Sequence, residues 1–147
     1  MQSKTGSFPN AAGQTLSGIL DLPVGEPRAY ALFAHCFTCS KNLKAATNIA
    51  RAMTAAGVAV LRFDFTGLGQ SEGEFEETSF SSNLTDLLAA VAWLGEHHRA
   101  PEILCGHSLG GTAVLQVAAK VPSAVAVATI GSPADPGHVT HMLKGAE

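Results

Sequence analysis

The chain has 147 residues, 46% of them hydrophobic and 14% charged, with a formal net charge of −3. That length suits one domain of roughly 100–200 residues, and the scarcity of charge suits a parallel sheet buried on both faces. The charge balance excludes a nucleic-acid surface and a patch for anionic membranes, the N-terminus lacks the apolar core of a signal peptide, and no run is long enough to span a bilayer. The three cysteines cannot pair off completely, which predicts a reduced, cytoplasmic protein.

Residues 16–22 read as an early strand, 23–27 as a loop, and 30–34 as a buried strand. Ser40 can cap a helix over 41–56, with Leu43, Ala46, Ile49, Ala50 and Met53 on one face and Gly57 as its stop. Residues 58–63 form another strand, followed by a polar, glycine-rich loop from 64 to about 78. Phe80, Leu84, Leu87, Leu88, Val91 and Leu94 then fall at helical spacing. The short run 103–105 is a strand, 112–120 carries no breaker and reads as a helix, and 124–130, rich in Val and Ala, is a last strand. From residue 30 onward the alternation of strand and helix implies an α/β fold with a parallel, doubly wound sheet and right-handed crossovers.

Gly106-His107-Ser108-Leu109-Gly110 fits the nucleophile elbow, G-x-S-x-G, between a strand and a helix. A serine on so sharp a turn projects its hydroxyl above the sheet. Gly106 and Gly110 let strand and helix pass closely, and the new helix aims its free N–H groups at an oxyanion forming beside Ser108.

Cys36-Phe37-Thr38-Cys39 is a C-x-x-C placed between a strand and a helix, the position of a thioredoxin-type pair, so thiol redox chemistry at Cys36 and Cys39 is the rival reading. The surrounding motifs and the order of elements speak for a different fold. Zinc is set aside because no second ligand pair follows at suitable spacing, and Cys105 reads as a small buried hydrophobe. In the stretch from Arg62 to Ser71, Asp64 ends a strand while Gly67 and Gly69 permit an irregular loop. A phosphate-cradling loop would need a third glycine and an immediate helix. Asp64 and Ser71 are instead expected to brace the loop by hydrogen bonds, with Glu72, Glu74, Glu76 and Glu77 as a solvated acidic stretch and not a metal site.

Taken together, these motifs resemble the α/β-hydrolase superfamily, near its serine aminopeptidase and monoacylglycerol-lipase-like branch. Segments 34–42, 62–73, 106–111 and 131–136 are similar to bacterial proteins in which a hydrolase domain precedes an OsmC-like domain, and His35-Cys36-Phe37-Thr38-Cys39 is the most specific part of the match. The resemblance implies a doubly wound, mostly parallel sheet with an antiparallel N-terminal strand. It implies Ser108 as nucleophile, the N–H groups of Phe37 and Leu109 as oxyanion donors, and His35, Asp64, Ser71, Gly106, His107 and Gly110 in support. The reaction would be hydrolysis of an ester, amide or similar acyl bond of a small molecule through an acyl-enzyme, with no metal or organic cofactor.

The superfamily orders its triad as Ser, then Asp or Glu, then His, on loops after later strands. Here His97 and His98 end a helix and are expected to face solvent, and His107 points away from Ser108 across a sharp turn. His138 and His141, with Asp135, would lie on the Ser108 side of the sheet without a fixed orientation, which is not enough for a general base. The expectation is therefore a single hydrolase domain over 1–147 that represents its N-terminal portion and lacks the usual acid and base. A C-terminal hydrolase half, a second copy or an OsmC-like domain is the expected partner, since the last strand leaves an apolar edge. A non-catalytic or truncated hydrolase-like module is the remaining alternative.

Overall fold

The computed structural model describes residues 1–135 and 137. Gln2–Pro9 (β1) and Thr15–Leu22 (β2) form an antiparallel hairpin, closed by Asn10, whose Oδ1 accepts from the N–H groups of Ala12 and Gln14. Strand β2 pairs antiparallel with Val58–Phe63 (β4). Ala29–Ala34 (β3), β4, Ile103–His107 (β5) and Ala126–Ile130 (β6) run parallel to one another, and the six-stranded sheet has the order β1-β2-β4-β3-β5-β6.

Strand β3 is an apolar run, and β4 is one but for Arg62, because both of their faces are covered. Lys44–Ala55 (α1) lies on one face, where its Ala46 and Ala50 share a core with Ala31, Phe33, Val60 and Cys105. Phe80–His97 (α2) and Leu109–Val117 (α3) lie on the other, where Leu87, Leu94, Ala113 and Val114 pack with Leu32, Leu61 and Leu104. Alternate residues of one strand thus serve two cores, as the two-residue side-chain period requires. Under α2 the core becomes aromatic, with the Phe63 ring centroid 4.9 Å from that of Phe65 and 6.0 Å from that of Phe8. The sheet is doubly wound and mostly parallel with an antiparallel N-terminal part, as the sequence predicts.

Four differences have physical causes. Strand β1 has no counterpart in the sequence reading, because it is a polar edge strand that buries Phe8 alone. Helix α1 begins at Lys44, not 41, and Ser40 does not cap it; Leu43 stands at the cap without a side-chain bond, because Lys41 is drawn into the protein by Asp64. Helix α3 begins directly at Leu109, taking Gly110 and Gly111 into its first turn, and gives way to a 3₁₀ turn at Ala118–Lys120. Strand β6 begins two residues later than expected, and all five of its residues are exposed. Helix α2 opens with a reciprocal cap, the Ser79 hydroxyl accepting from Ser82 N–H at 3.1 Å and the Ser82 hydroxyl from Ser79 N–H at 2.8 Å. Among the described residues no helix is long and apolar enough to cross a membrane.

Phe63 is fully buried at the junction of β4 with the aromatic core. Phe63→Ala is expected to cost about 3–5 kcal/mol, read as a lower midpoint in urea unfolding with an unchanged slope.

Candidate active site

The register of the parallel strands assembles the site. Ala34 at the end of β3 stands opposite Phe63 of β4 and Gly106 of β5, and His107 stands opposite Ile130 of β6. The loops leaving these strands therefore emerge side by side along the carboxyl edge of the sheet, the usual place for ligands in open α/β sheets.

Ser108 is the sole non-glycine residue with positive φ among those described, at φ 55° and ψ −126°. Such a conformation persists where the surroundings over-determine it. Its N–H donates to the Ile130 carbonyl at 2.8 Å, and its carbonyl accepts from Gly111 N–H at 2.9 Å. A Cβ on Gly106 would run into the Gly110 carbonyl and the Gly111 nitrogen, and one on Gly110 into the carbonyls of Ala34 and His35. Both glycines are thus required by close backbone approach. Leu109 is the first residue of α3, so its N–H lacks an intrahelical acceptor and sits at the positive end of the helix dipole. In the neighbouring loop Phe37 is buried, and its N–H has no acceptor among the described residues. Its ring packs edge-on against Phe65 at 5.0 Å and Phe75 at 5.9 Å, with Phe80 at 6.1 Å.

Beneath these loops lies a fully buried carboxylate. Asp64 Oδ1 accepts from Lys41 N–H at 2.7 Å and lies 3.5 Å from His35 Nε2, while Oδ2 accepts from Lys41 Nζ at 2.5 Å and from Gln70 N–H at 3.0 Å. Burial alone would raise the pKa of Asp64. Its bonds with His35, with Gln70 N–H and with the side chain and N–H of Lys41 outweigh that and hold it well below the usual carboxylate range. The Asp64 carbonyl accepts from the Ser71 hydroxyl at 2.6 Å, and Ser71 Oγ accepts from Ser17 N–H at 2.9 Å. Asp86 of α2 holds the same loop from the other side, accepting from Thr66 N–H at 2.8 Å; burial raises its pKa against the hydrogen bonds from Thr66. Lys41 escaped the sequence reading because nothing in Ser40-Lys41-Asn42 distinguishes a buried lysine from a surface one.

Cys36 and Cys39 are joined as a disulfide, because a turn with Cys39 N–H donating to the Cys36 carbonyl at 3.1 Å brings their Cα atoms within 5.2 Å. Cys105 is the free cysteine and is buried, which raises its pKa. The His35 ring is buried, shares a contact with the Cys36 carbonyl and meets Phe65 edge-on at 5.3 Å. His107 borders the elbow half-buried, and its Nδ1 has no hydrogen-bond partner among the described residues. His97 and His98 are exposed at the far end of α2. Asp135 is exposed, its Oδ1 accepting from Gly137 N–H, and His138 and His141 lie outside the described residues.

A serine elbow on a sheet of this order, flanked by an open loop N–H, defines an α/β hydrolase. The chain belongs to the serine aminopeptidase S33 family, whose sequence model matches residues 25–142. It is 34% identical over 100 residues to the mitochondrial palmitoyl-protein thioesterase ABHD10 of Rattus norvegicus, a match covering 68% of this chain and 32% of that protein. It is 26% identical over 136 residues to a monoacylglycerol lipase of Mycolicibacterium smegmatis, covering 90% of this chain and 47% of the lipase. The esterase domain of a Rhodothermus marinus protein superposes with a TM-score of 0.80 at 57% identity, over 96% of this chain and 55% of that one. The chain thus spans about a quarter to a half of the length of the curated relatives it matches.

Asp64→Asn leaves Lys41 buried without its counter-charge and is expected to cost about 3–5 kcal/mol. Because folding lowers the pKa of Asp64, its stabilisation is complete above the unfolded value near about 4 and fades as pH falls through the folded one. Asp86 has the opposite sign, destabilising the fold as pH rises from the unfolded value through its raised one. Urea unfolding of the wild type and of D64N between acid and neutral pH is expected to converge at the acid end.

Proposed function

We propose that the chain carries the nucleophile of a serine hydrolase that cleaves an ester or thioester of an apolar acyl group. Ser108 Oγ attacks the acyl carbon, its proton passes to a base, and the alcohol or thiol leaves as the acyl-enzyme forms. Water then releases the acid and frees Ser108. The N–H groups of Phe37 and Leu109 receive the oxyanion, each lowering the barrier by about 3–4 kcal/mol. The rings of Phe65, Phe75 and Phe80 around Phe37 supply an apolar wall beside that hole. His35, Asp64 and Ser71 hold the loops in place.

The observation that carries this reading is the strained elbow of Ser108 at the head of α3. The named activities of the relatives, a palmitoyl thioesterase, a monoacylglycerol lipase and an esterase, suggest the acyl class. None of His35, His97, His98 and His107 is hydrogen-bonded to Ser108, so we place the general base outside the described residues. In this reading the domain over 1–147 supplies the nucleophile and the oxyanion hole, and the acid and base come from a further hydrolase segment.

The test is labelling by a fluorophosphonate probe together with hydrolysis of acyl esters and thioesters of increasing chain length. Ser108→Ala is expected to abolish labelling and lower any turnover at least about 10³-fold, whereas serine at Cys36 and Cys39 leaves the labelling in place. Labelling that survives Ser108→Ala in the folded protein, or that depends on the cysteines alone, sinks the proposal in favour of thiol chemistry.

A further inference from the structure

The reading of Ser108 leaves the Cys36–Cys39 pair unused, and the fold brings a third ligand to it. Cys36, Cys39 and His107 each offer one ligand atom, and these atoms lie within 4.8 Å of one another. No other group of three such side chains comes together among the described residues. The meeting follows from strand register, since Ala34 stands opposite Gly106 and the loop leaving β3 therefore lies against the residue that ends β5. His107 is not otherwise engaged: its Nδ1 is closed to solvent and unpartnered among the described residues, a condition that costs a buried polar group about 1–3 kcal/mol.

We propose that, once the disulfide is reduced, Cys36, Cys39 and His107 form a binding site for a thiophilic divalent cation, zinc before all others. Two thiolates and an imidazole favour zinc over magnesium or calcium, which take oxygen ligands. The C-x-x-C spacing is a common zinc half-site, and three protein ligands leave a fourth tetrahedral position for water. Zinc–sulfur and zinc–nitrogen bonds of about 2.3 and 2.0–2.1 Å set the ligand atoms of a tetrahedral site about 3.5–3.8 Å apart, which the 4.8 Å cluster reaches by side-chain rotation. The Thr38 hydroxyl, 3.8 Å from Cys36 Sγ and 3.9 Å from Cys39 Sγ, is placed to donate to the thiolates.

Disulfide and metal exclude each other. A dithiol reductant transfers two electrons and two protons to the Cys36–Cys39 bond and is itself closed to a disulfide. Zinc then displaces the two thiol protons to solvent. The oxidised chain has no site.

The full chain, reduced with a water-soluble phosphine and freed of metal, is titrated with zinc against a chromogenic chelator and, separately, with cobalt(II) as a spectroscopic probe. Reduced wild type is expected to bind one equivalent and to show thiolate-to-cobalt charge transfer with tetrahedral d–d bands. The oxidised chain binds none. Cys39→Ser and His107→Ala each weaken binding at least about 10–100-fold, and His98→Ala leaves it unchanged. Circular dichroism checks that the variants fold, and the cobalt spectrum of the wild type reports thiolate ligation without any variant. Absence of stoichiometric zinc in the reduced, folded wild type overturns the proposal. So does equal binding by the oxidised chain or by His107→Ala. The readout is metal, not turnover, so it stands apart from the fate of Ser108 as nucleophile.

Discussion

Asp64 follows directly on β4 with both carboxylate oxygens engaged, and the geometry of the carboxyl edge of the sheet depends on its pairing with Lys41. Two charges taken out of water are repaid when their remaining valences are met. Here one carboxylate takes donors from the loop after β3 and from the loop after β4, so a single group fastens both. Lys41 yields its backbone N–H as well as its ammonium, which delays the start of α1 and leaves the stretch after β3 irregular. That irregular path leaves the Phe37 N–H without an acceptor among the described residues.

The same anchoring continues along the sheet. Arg62, one residue before the end of β4, donates to Asp21 of β2 at 2.7 Å and to the carbonyl of Lys41. Asp21 in turn accepts from Ser3 of β1 at 2.6 Å. A buried polar seam thus runs from the edge hairpin to His35, passing beneath the start of α1. It explains why an apolar strand such as β4 tolerates a charged residue in its interior: every polar atom it buries there has been given a partner.

Most of this architecture was legible in the chain because local signals agree with it. The apolar runs of β3 and β4, the helical spacing from Phe80 to Leu94 and the glycines around Ser108 each report a physical demand of the residue's own surroundings. What escaped was decided at a distance. Strand β1 is polar because it lies at an edge, so its pattern carries little contrast, and Ser40 offers a plausible cap that Asp64, 23 positions beyond Lys41, displaces. The approach of His107 to Cys36 and Cys39 depends on a strand register that no single segment encodes.

The hold on Ser108 reaches further than its own turn. Its amide hangs from the carbonyl of Ile130, the final residue of a strand whose five side chains are all open to solvent. Burial normally forbids a strand to slide, because a one-residue slip would exchange its inner and outer faces; β6, with every residue open to solvent, is kept in step by its ladder to β5 and by its contacts with α3. The one non-glycine residue of positive φ among those described is therefore tethered to a strand that is exposed along its whole length. The sharpness of the elbow is then set by how faithfully the margin of the sheet keeps its place, and fraying there would relax the serine long before the core felt anything.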